Sequence, residues 1–164
     1  MTRYFIDTEF IEDGHTIDLI SIGIVAEDGR ELYVESADFD RGKANLWVRE
    51  HVFPQLKGGE FRWSRSSIKV TLLDFFDIEE YGKPELWGYY SAYDHVAFAQ
   101  LFGTMMDLPP GYPMYTRDIK QWCDQLGNPP LSEQEKGEHH ALLDARWNKI
   151  AWEFLKGMER EVPV

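Results

Sequence analysis

The sequence RYFIDTEF, residues 3–10, places two carboxylates at the end of an apolar run that is typical of a buried strand. Residues two apart on a strand face the same side of the sheet, so Asp7 and Glu9 should lie side by side. Like charges repel, and burial of a carboxylate is costly unless something compensates its charge. The stretch therefore predicts a strand whose two acids need a positively charged partner.

The order of apolar and turn-forming segments around this strand predicts a mixed α/β domain. The pattern predicts strands over 3–8, 16–27, 30–36, 84–90 and 114–119, and helices over 44–56, 64–76, 93–102, 119–126 and 140–158, with a polar, mobile loop over 128–138. Three strands in a meander, followed by alternating strands and helices, imply a mixed sheet with helices packed on it. We predict an RNase H-like fold with a five-stranded sheet, formed by one domain over residues 1–164.

Bulk features of the chain favour a cytoplasmic protein. Its 164 residues suffice for a real core, and its only cysteine, Cys123, cannot form an internal disulfide. The N-terminal MTRYFID lacks the apolar core of a signal peptide. The longest apolar runs, such as LISIGIVA over 19–26, are too short to cross a bilayer, so no membrane partner is expected.

The charge of the chain is unevenly distributed. A net charge of −12 argues against nucleic acid as a partner, yet residues 41–69 carry seven basic residues and two acids. That segment has a charge of +5, which leaves −17 on the rest of the chain. Two interpretations remain open: a segment that contacts a few phosphates, or a solvated surface.

Two further acids are predicted to point inward from helix starts. Asp94 shares an apolar helical stripe with Ala97 and Phe98, and Asp144 lies beside Leu143 in the last helix. Either acid could instead cap its helix. Together with Asp7 and Glu9 they could hold two divalent cations, since Mg²⁺ and Mn²⁺ prefer oxygen ligands and since strand positions two apart, about 6–7 Å, can flank metals about 4 Å apart.

Three motifs in register resemble those of a known superfamily. They are Asp7-Thr8-Glu9, Tyr93-Asp94 after ELWGYY, and His139-His140-Ala141-Leu142-Leu143-Asp144. They resemble the DEDD 3′→5′ exonucleases of the histidine (DEDDh) subclass, which have an RNase H-like fold. YFIDTEFIEDGHTIDLISIGIVAEDGRE, WSRSSI and YSAYDHVAFAQLFG are similar to the polyadenylate-specific exoribonuclease AS group, which implies a Mg²⁺-dependent homodimer that acts on RNA 3′ ends.

Two departures from the wider superfamily favour RNA over DNA proofreading. Phe10-Ile11-Glu12 follow the first motif where proofreading members usually have Thr-Thr-Gly, and Tyr90 stands where they usually have Asn. The resemblance implies a two-metal exoribonuclease that hydrolyses single-stranded RNA, with a possible preference for poly(A), to nucleoside 5′-monophosphates. The alternatives are a DNA 3′-exonuclease or oligonucleotide-trimming enzyme, and a non-catalytic RNA-binding module.

The resemblance also assigns roles to individual residues. Asp7, Glu9, Asp94 and Asp144 would be the metal ligands, and His139 would be the general base that takes a proton from the attacking water. His140 is the rival base, but only His139 has the motif spacing. His139 should lie on the loop before the last helix, because five residues of helix would turn it about 140° from Asp144.

Four residues are candidates for substrate binding. Phe10 could stack on the terminal base or could equally be a core residue, and Tyr93 could order a phosphate or a water, with simple packing as the alternative. Trp63 and Arg65 combine an aromatic ring with a cation and could contact the RNA strand or belong to a second subunit's contribution. Helix packing is the alternative for Trp63.

Overall fold

The molecule is built around a mixed β-sheet. A computed structural model describes residues 1–134 and 137–161. The strands of the sheet are β1 Thr2–Glu12, β2 Ile17–Ala26, β3 Glu31–Ser36, β4 Arg62–Trp63, β5 Pro84–Gly88 and β6 Arg117–Asp118. Their spatial order is β4-β3-β2-β1-β5-β6. β1 pairs antiparallel with β2 and parallel with β5, so it has neighbours on both sides.

Helices cover both faces of this sheet. They are α1 Leu46–His51, α2 Arg65–Phe76, α3 Ile78–Tyr81, α4 Ala92–Gln100, α5 Ile119–Gln125 and α6 Ala141–Glu161, with 3₁₀ turns at Arg41–Lys43, Phe53–Gln55, Gly59–Phe61 and Met105–Asp107. Tyr4 and Ile6 of β1 pack against α2 and α4 on one face. Phe5, which points to the opposite face, packs against the start of α6. The two-residue period of β1 therefore directs its acids toward α6.

One glycine allows α6 to lie directly on the sheet. Gly23 of β2 is the register partner of Asp7. A Cβ atom at Gly23 would lie 2.3 Å from main-chain atoms of Ala141 and Leu142, far inside van der Waals contact. Only glycine tolerates this approach, which places the first turn of α6 beside the acidic end of β1.

The prediction of an α/β fold with a mixed sheet and flanking helices is confirmed, with two corrections. The described residues form six strands rather than five, because Arg62–Trp63 pairs with the end of β3 over two residues, too short a run to give a periodic signal. The helix predicted over 44–56 is wrong in its extent: α1 is only six residues long, and Val52 and a 3₁₀ turn containing Pro54 follow it. Proline cannot supply the N–H that a longer α-helix needs there.

The remaining boundaries differ from prediction by a few residues. β1 extends beyond its predicted end at residue 8 to Glu12, so Glu9 as well as Asp7 lies within the strand. Residues 135, 136 and 162–164 lie outside the described residues, and the first two belong to the segment predicted to be a mobile loop. Across the described part of the chain, every helix is too short or too polar to serve as a membrane span.

Candidate active site

The acids of β1 lie at its junction with α6. Asp7 faces Gly23 across the β1–β2 pair, and Glu9 faces Ser21. Glu9 is 9% exposed, and Asp7, which is partly exposed, lines a cleft. The side-by-side arrangement predicted from the strand period is present.

Asp94 joins the site from the first turn of α4. Its Oδ1 accepts hydrogen bonds from the main-chain N–H of Thr8 at 2.8 Å and from the Thr8 hydroxyl at 2.6 Å. These bonds connect residues that are 86 positions apart in the chain, and Asp94 is only 6% exposed. A helix-capping role alone therefore does not account for Asp94, since its carboxylate fastens α4 to the acidic end of β1.

Asp144 enters from the first turn of α6. One carboxylate oxygen accepts the main-chain N–H of His139 at 2.9 Å, and the other accepts the side-chain amide of Gln134 at 2.7 Å. His139 lies on the loop before α6, as predicted, and has φ of +67°. A left-handed conformation is uncommon for a residue with a side chain, and here it allows the His139 N–H to reach Asp144.

The four acids and His139 share one cavity. They line a hollow of about 270 Å³. Within it, Glu9, His139 and Asp144 each offer a ligand atom, and these atoms all lie within 4.8 Å of one another. The three sequence motifs, separated by up to 137 positions, are thus brought together by the fold.

Burial and mutual repulsion raise the pKa values of these carboxyl groups. The pKa of Asp7 is well above its ordinary value because of burial first and the charges of Asp94, Asp144 and Glu9 second. Burial, followed by the charges of Asp144 and Asp94, raises the pKa of Glu9 to about 8.

For Asp94 and Asp144, local hydrogen bonds offset part of the rise in pKa. Burial raises the pKa of Asp94 to about 6, against the lowering effect of the Thr8 hydrogen bonds. Burial also raises the pKa of Asp144, opposed by the hydrogen bonds from Gln134 and His139.

The donor set fits divalent cations. Among the described residues, none of the salt bridges includes any of the four acids, so no lysine or arginine compensates their charge. Clustered carboxylate oxygens are the ligands that Mg²⁺ and Mn²⁺ prefer. The arrangement can thus hold hard cations and, through them, the oxygens of a phosphate.

The two neighbouring histidines face different environments. His139 lines the cavity and packs edge-to-face on Trp47, with ring centroids 4.7 Å apart. His140 is 6% exposed and stacks on Tyr33 at 4.4 Å, and neither of its ring nitrogens has a hydrogen-bond partner in the described structure. Of the two, only His139 lines the cavity.

The predicted substrate-binding residues divide into two groups. Phe10 lines the cavity and contacts Tyr93, with ring centroids 5.8 Å apart, and Tyr93 is 48% exposed. Trp63 and Arg65 do not line the cavity: the Trp63 indole donates to the Glu60 carbonyl, and Arg65 pairs with Asp18. Because β4 is an outer strand of the sheet, Trp63 is separated from β1 by two strands.

The structure adds residues that the sequence analysis missed. Trp47 of α1 lines the cavity, while Gln134 and Asn148 line an adjoining cleft of about 630 Å³ that shares Asp7, His139 and Asp144. The Asn148 side-chain amide also donates to the Ile6 carbonyl at 2.9 Å. An exposed tryptophan inside the basic segment was a usable signal for Trp47, whereas Gln134 and Asn148 carry no local pattern that marks them.

Comparison with known proteins identifies relatives over most of the chain. The sequence profile of the 3'-5' exoribonuclease Rv2179c-like domain matches residues 2–156. The 3'-5' exoribonuclease Rv2179c of Mycobacterium tuberculosis strain H37Rv is 49% identical over 146 residues, which cover 88% of this chain and 87% of that protein. The 3'-5' exoribonuclease MT2234.1 of strain CDC 1551 matches with the same identity and coverage.

Proposed function

Because the chain belongs to the family of Rv2179c-like 3'-5' exoribonuclease domains, we propose that its acidic cavity shortens single-stranded RNA from the 3′ end with two divalent cations and releases nucleoside 5′-monophosphates. Exoribonuclease activity follows from the family. The cation requirement, the product and the strandedness of the substrate are our proposals. We also propose that residues 1–164 act as one exonuclease domain of the DEDDh subclass.

The observation that carries this proposal is the convergence of four carboxylates that have no compensating basic side chain among the described residues. Burial of Glu9 and Asp94, together with the raised pKa values of all four acids, shows that the site is electrostatically unfavourable by itself. Bound cations would remove this penalty. The bound cations would also give the site its affinity for the phosphate groups of RNA.

The residues divide the work of hydrolysis between them. Asp7, Glu9, Asp94 and Asp144 would hold Mg²⁺, or Mn²⁺ in its place. Two such ions can stabilise the attacking and leaving oxygens of an in-line displacement at phosphorus. Thr8 and Gln134 would orient Asp94 and Asp144 through the hydrogen bonds they donate.

His139 would serve as the general base. Histidine has an ordinary pKa near neutrality, so it can take the proton of the attacking water as that oxygen bonds to phosphorus and the bond to the 3′ oxygen breaks. Two contacts hold His139 beside the acids and support this role: its ring packs on Trp47, and its main-chain N–H donates to Asp144. Phe10 and Tyr93 would contact the terminal nucleotide.

A direct experiment compares single substitutions on labelled single-stranded RNA. Wild-type protein with Mg²⁺ should yield a ladder that shortens from the 3′ end, and Asp94→Asn should abolish it. Exposed Asp74 on α2, which lines neither the cavity nor the adjoining cleft, provides the matched control Asp74→Asn. Undiminished hydrolysis by Asp94→Asn would sink the proposal.

The same assay tests which nucleic acids the protein hydrolyses. RNA homopolymers, DNA and dinucleotides compared side by side separate an RNA-specific enzyme with a poly(A) preference from a DNA 3′-exonuclease or an oligonucleotide-trimming enzyme. The homodimer, like the cytoplasmic location, is proposed from the family resemblance, and sedimentation of the purified protein tests the dimer. The presence of all four acids and His139 in one cavity supports an enzyme over a non-catalytic RNA-binding module.

A further inference from the structure

The fold redistributes the basic residues of segment 41–69. Arg65 forms a salt bridge with Asp18. Lys57 lies over the Phe61 ring at 5.0 Å, and Lys69 lies 5.8 Å from the Phe102 ring centroid. Arg62 belongs to β4 at the outer edge of the sheet. The charge of Arg65 is therefore neutralised, and Lys57, Arg62 and Lys69 lie ten or more positions in the chain from Trp47, the residue of this segment that lines the cavity.

The other three cations form one exposed group, which we call the basic turn: Arg41, Lys43 and Arg49. The Arg49 side chain donates to the carbonyls of Ala44 at 2.8 Å and Gly42 at 3.3 Å, which holds it against the turn that carries Arg41 and Lys43. No salt bridge found within residues 1–134 and 137–161 includes any of the three. Arg41 lies over the Phe53 ring at 4.1 Å, but neither this contact nor the hydrogen bonds of Arg49 to neutral carbonyls cancel a charge, so the three charges remain available to an external anion.

The basic turn adjoins the cavity through α1. All three cations lie within six positions of Trp47 in the chain. Trp47 is 47% exposed, packs on His139, and lines the cavity together with the four acids. Arg49 belongs to α1 together with Trp47, and Arg41 and Lys43 lie in the 3₁₀ turn just before α1, so a strand that leaves the cavity over Trp47 meets these cations next.

The adjoining cleft is unfavourable for a polyanion. Glu133 and Glu138 line the adjoining cleft, next to Asp144. Phosphates that left the cavity in that direction would pass two further carboxylates in a protein whose net charge is already −12. Electrostatics thus favour one exit from the cavity over the other.

We infer that the basic turn binds backbone phosphates of the RNA strand upstream of its 3′-terminal nucleotide, with Trp47 at the junction between this surface and the cavity. The inference rests on the proposed RNA substrate and replaces the role considered above for Trp63 and Arg65. Substrate length should then matter, because a dinucleotide ends at the cavity while a longer strand also reaches the basic turn. The surface reads charge and not base identity.

The experiment compares Arg41→Gln/Lys43→Gln with a control of equal charge change, Lys83→Gln/Arg117→Gln. Both control residues are exposed and lie on the β5–β6 side of the sheet. Fluorescence anisotropy measures the dissociation constant for a labelled 12-nucleotide RNA with 3′-terminal phosphorothioate linkages, which slow cleavage, at several salt concentrations. Hydrolysis of the 12-mer and of a dinucleotide is measured in parallel.

The first variant should bind the 12-mer several-fold more weakly at low salt, and its salt slope should fall by about 0.7 for each phosphate that the variant no longer neutralises. The first variant should also hydrolyse the 12-mer more slowly than wild type, whereas its rate on the dinucleotide should differ from wild type by less than twofold. The control variant should match wild type in binding and in hydrolysis. An unchanged dissociation constant and salt slope would overturn the inference. Wild-type protein that binds the 12-mer without ever shortening RNA would instead overturn the proposed function.

Discussion

The side-chain amide of Asn148 donates to the main-chain carbonyl of Ile6 at 2.9 Å, which ties α6 to β1 one residue before Asp7. Asn148 is 1% exposed, and it lies one helical turn after Asp144. The bond therefore sets the distance between the two elements that supply three of the four acids. Asn148 therefore stabilises the arrangement of the site in addition to lining the adjoining cleft.

Replacing Asn148 tests this support. Asn148→Leu leaves the buried Ile6 carbonyl without its partner, so the free energy of unfolding should fall by about 1–3 kcal/mol and RNA hydrolysis should decrease with it. Urea denaturation and initial rates measure the two effects. Gln100→Ala, an exposed change at the end of α4, is the control. Asn148→Leu within about 0.5 kcal/mol of wild type would contradict the assigned role.

The hydroxyl of Thr8 should stabilise the charged form of Asp94. Thr8→Val removes the 2.6 Å bond to Asp94 but keeps the main-chain bond, so the pKa of Asp94 should rise further. The Mg²⁺ concentration for half-maximal RNA hydrolysis should increase about 10-fold or more. Thr8→Ser should restore the wild-type value, and equal midpoints for Thr8→Val and wild type would refute the prediction.

Gly23 and Gly157 should respond to alanine in opposite directions. At Gly23 the new methyl group would overlap the main chain at the start of α6, so the free energy of unfolding should drop by at least about 1–3 kcal/mol. Gly157 lies within α6 with no neighbouring atom near the new position, so alanine there should stabilise by about 0.5–1 kcal/mol. Thermal unfolding of both variants measures the contrast, and equal shifts would mean that α6 can move away from β2.

The metal-free protein should lose stability as pH rises. The pKa of Glu9 in the fold, about 8, exceeds its ordinary value of 4.5, so the folded state binds this proton more tightly than the unfolded state. The stabilising contribution is complete below pH 4.5 and disappears as pH passes through 8. Tm in EDTA should therefore decrease from pH 5 to pH 8.5. Glu9→Gln should flatten this slope, and an equally steep decrease in Glu9→Gln would exclude Glu9 as its source.

The neighbouring histidines should differ sharply in their effect on catalysis. His139→Ala should lower kcat by roughly 10²–10⁴-fold while it leaves metal binding largely intact. His140→Phe preserves the stacking on Tyr33 and removes two unpartnered nitrogens, so its kcat should remain near wild type. Single-turnover rates on RNA decide between them. Near-normal turnover by His139→Ala would move the base role to His140 or to solvent.

The sequence by itself determined the class of fold and the principal acids. The two-residue period of β1 placed Asp7 beside Glu9, and the helical periods drew attention to Asp94 and Asp144. These inferences succeed because backbone sterics impose a period over a few neighbouring residues. The same local reasoning missed β4, whose two residues are too few to show any period.

Only the tertiary structure decided which side chains meet. Several contacts in the site join segments that are far apart in the chain. They are the Thr8–Asp94 hydrogen bond, the stacking of His140 on Tyr33 and the contact of Trp47 with His139. Likewise, the position of Trp63 two strands away from β1 follows from the order of the strands and not from any neighbouring residue. Such contacts depend on how whole elements pack, through features such as the close approach of α6 to Gly23, and no local period encodes that packing.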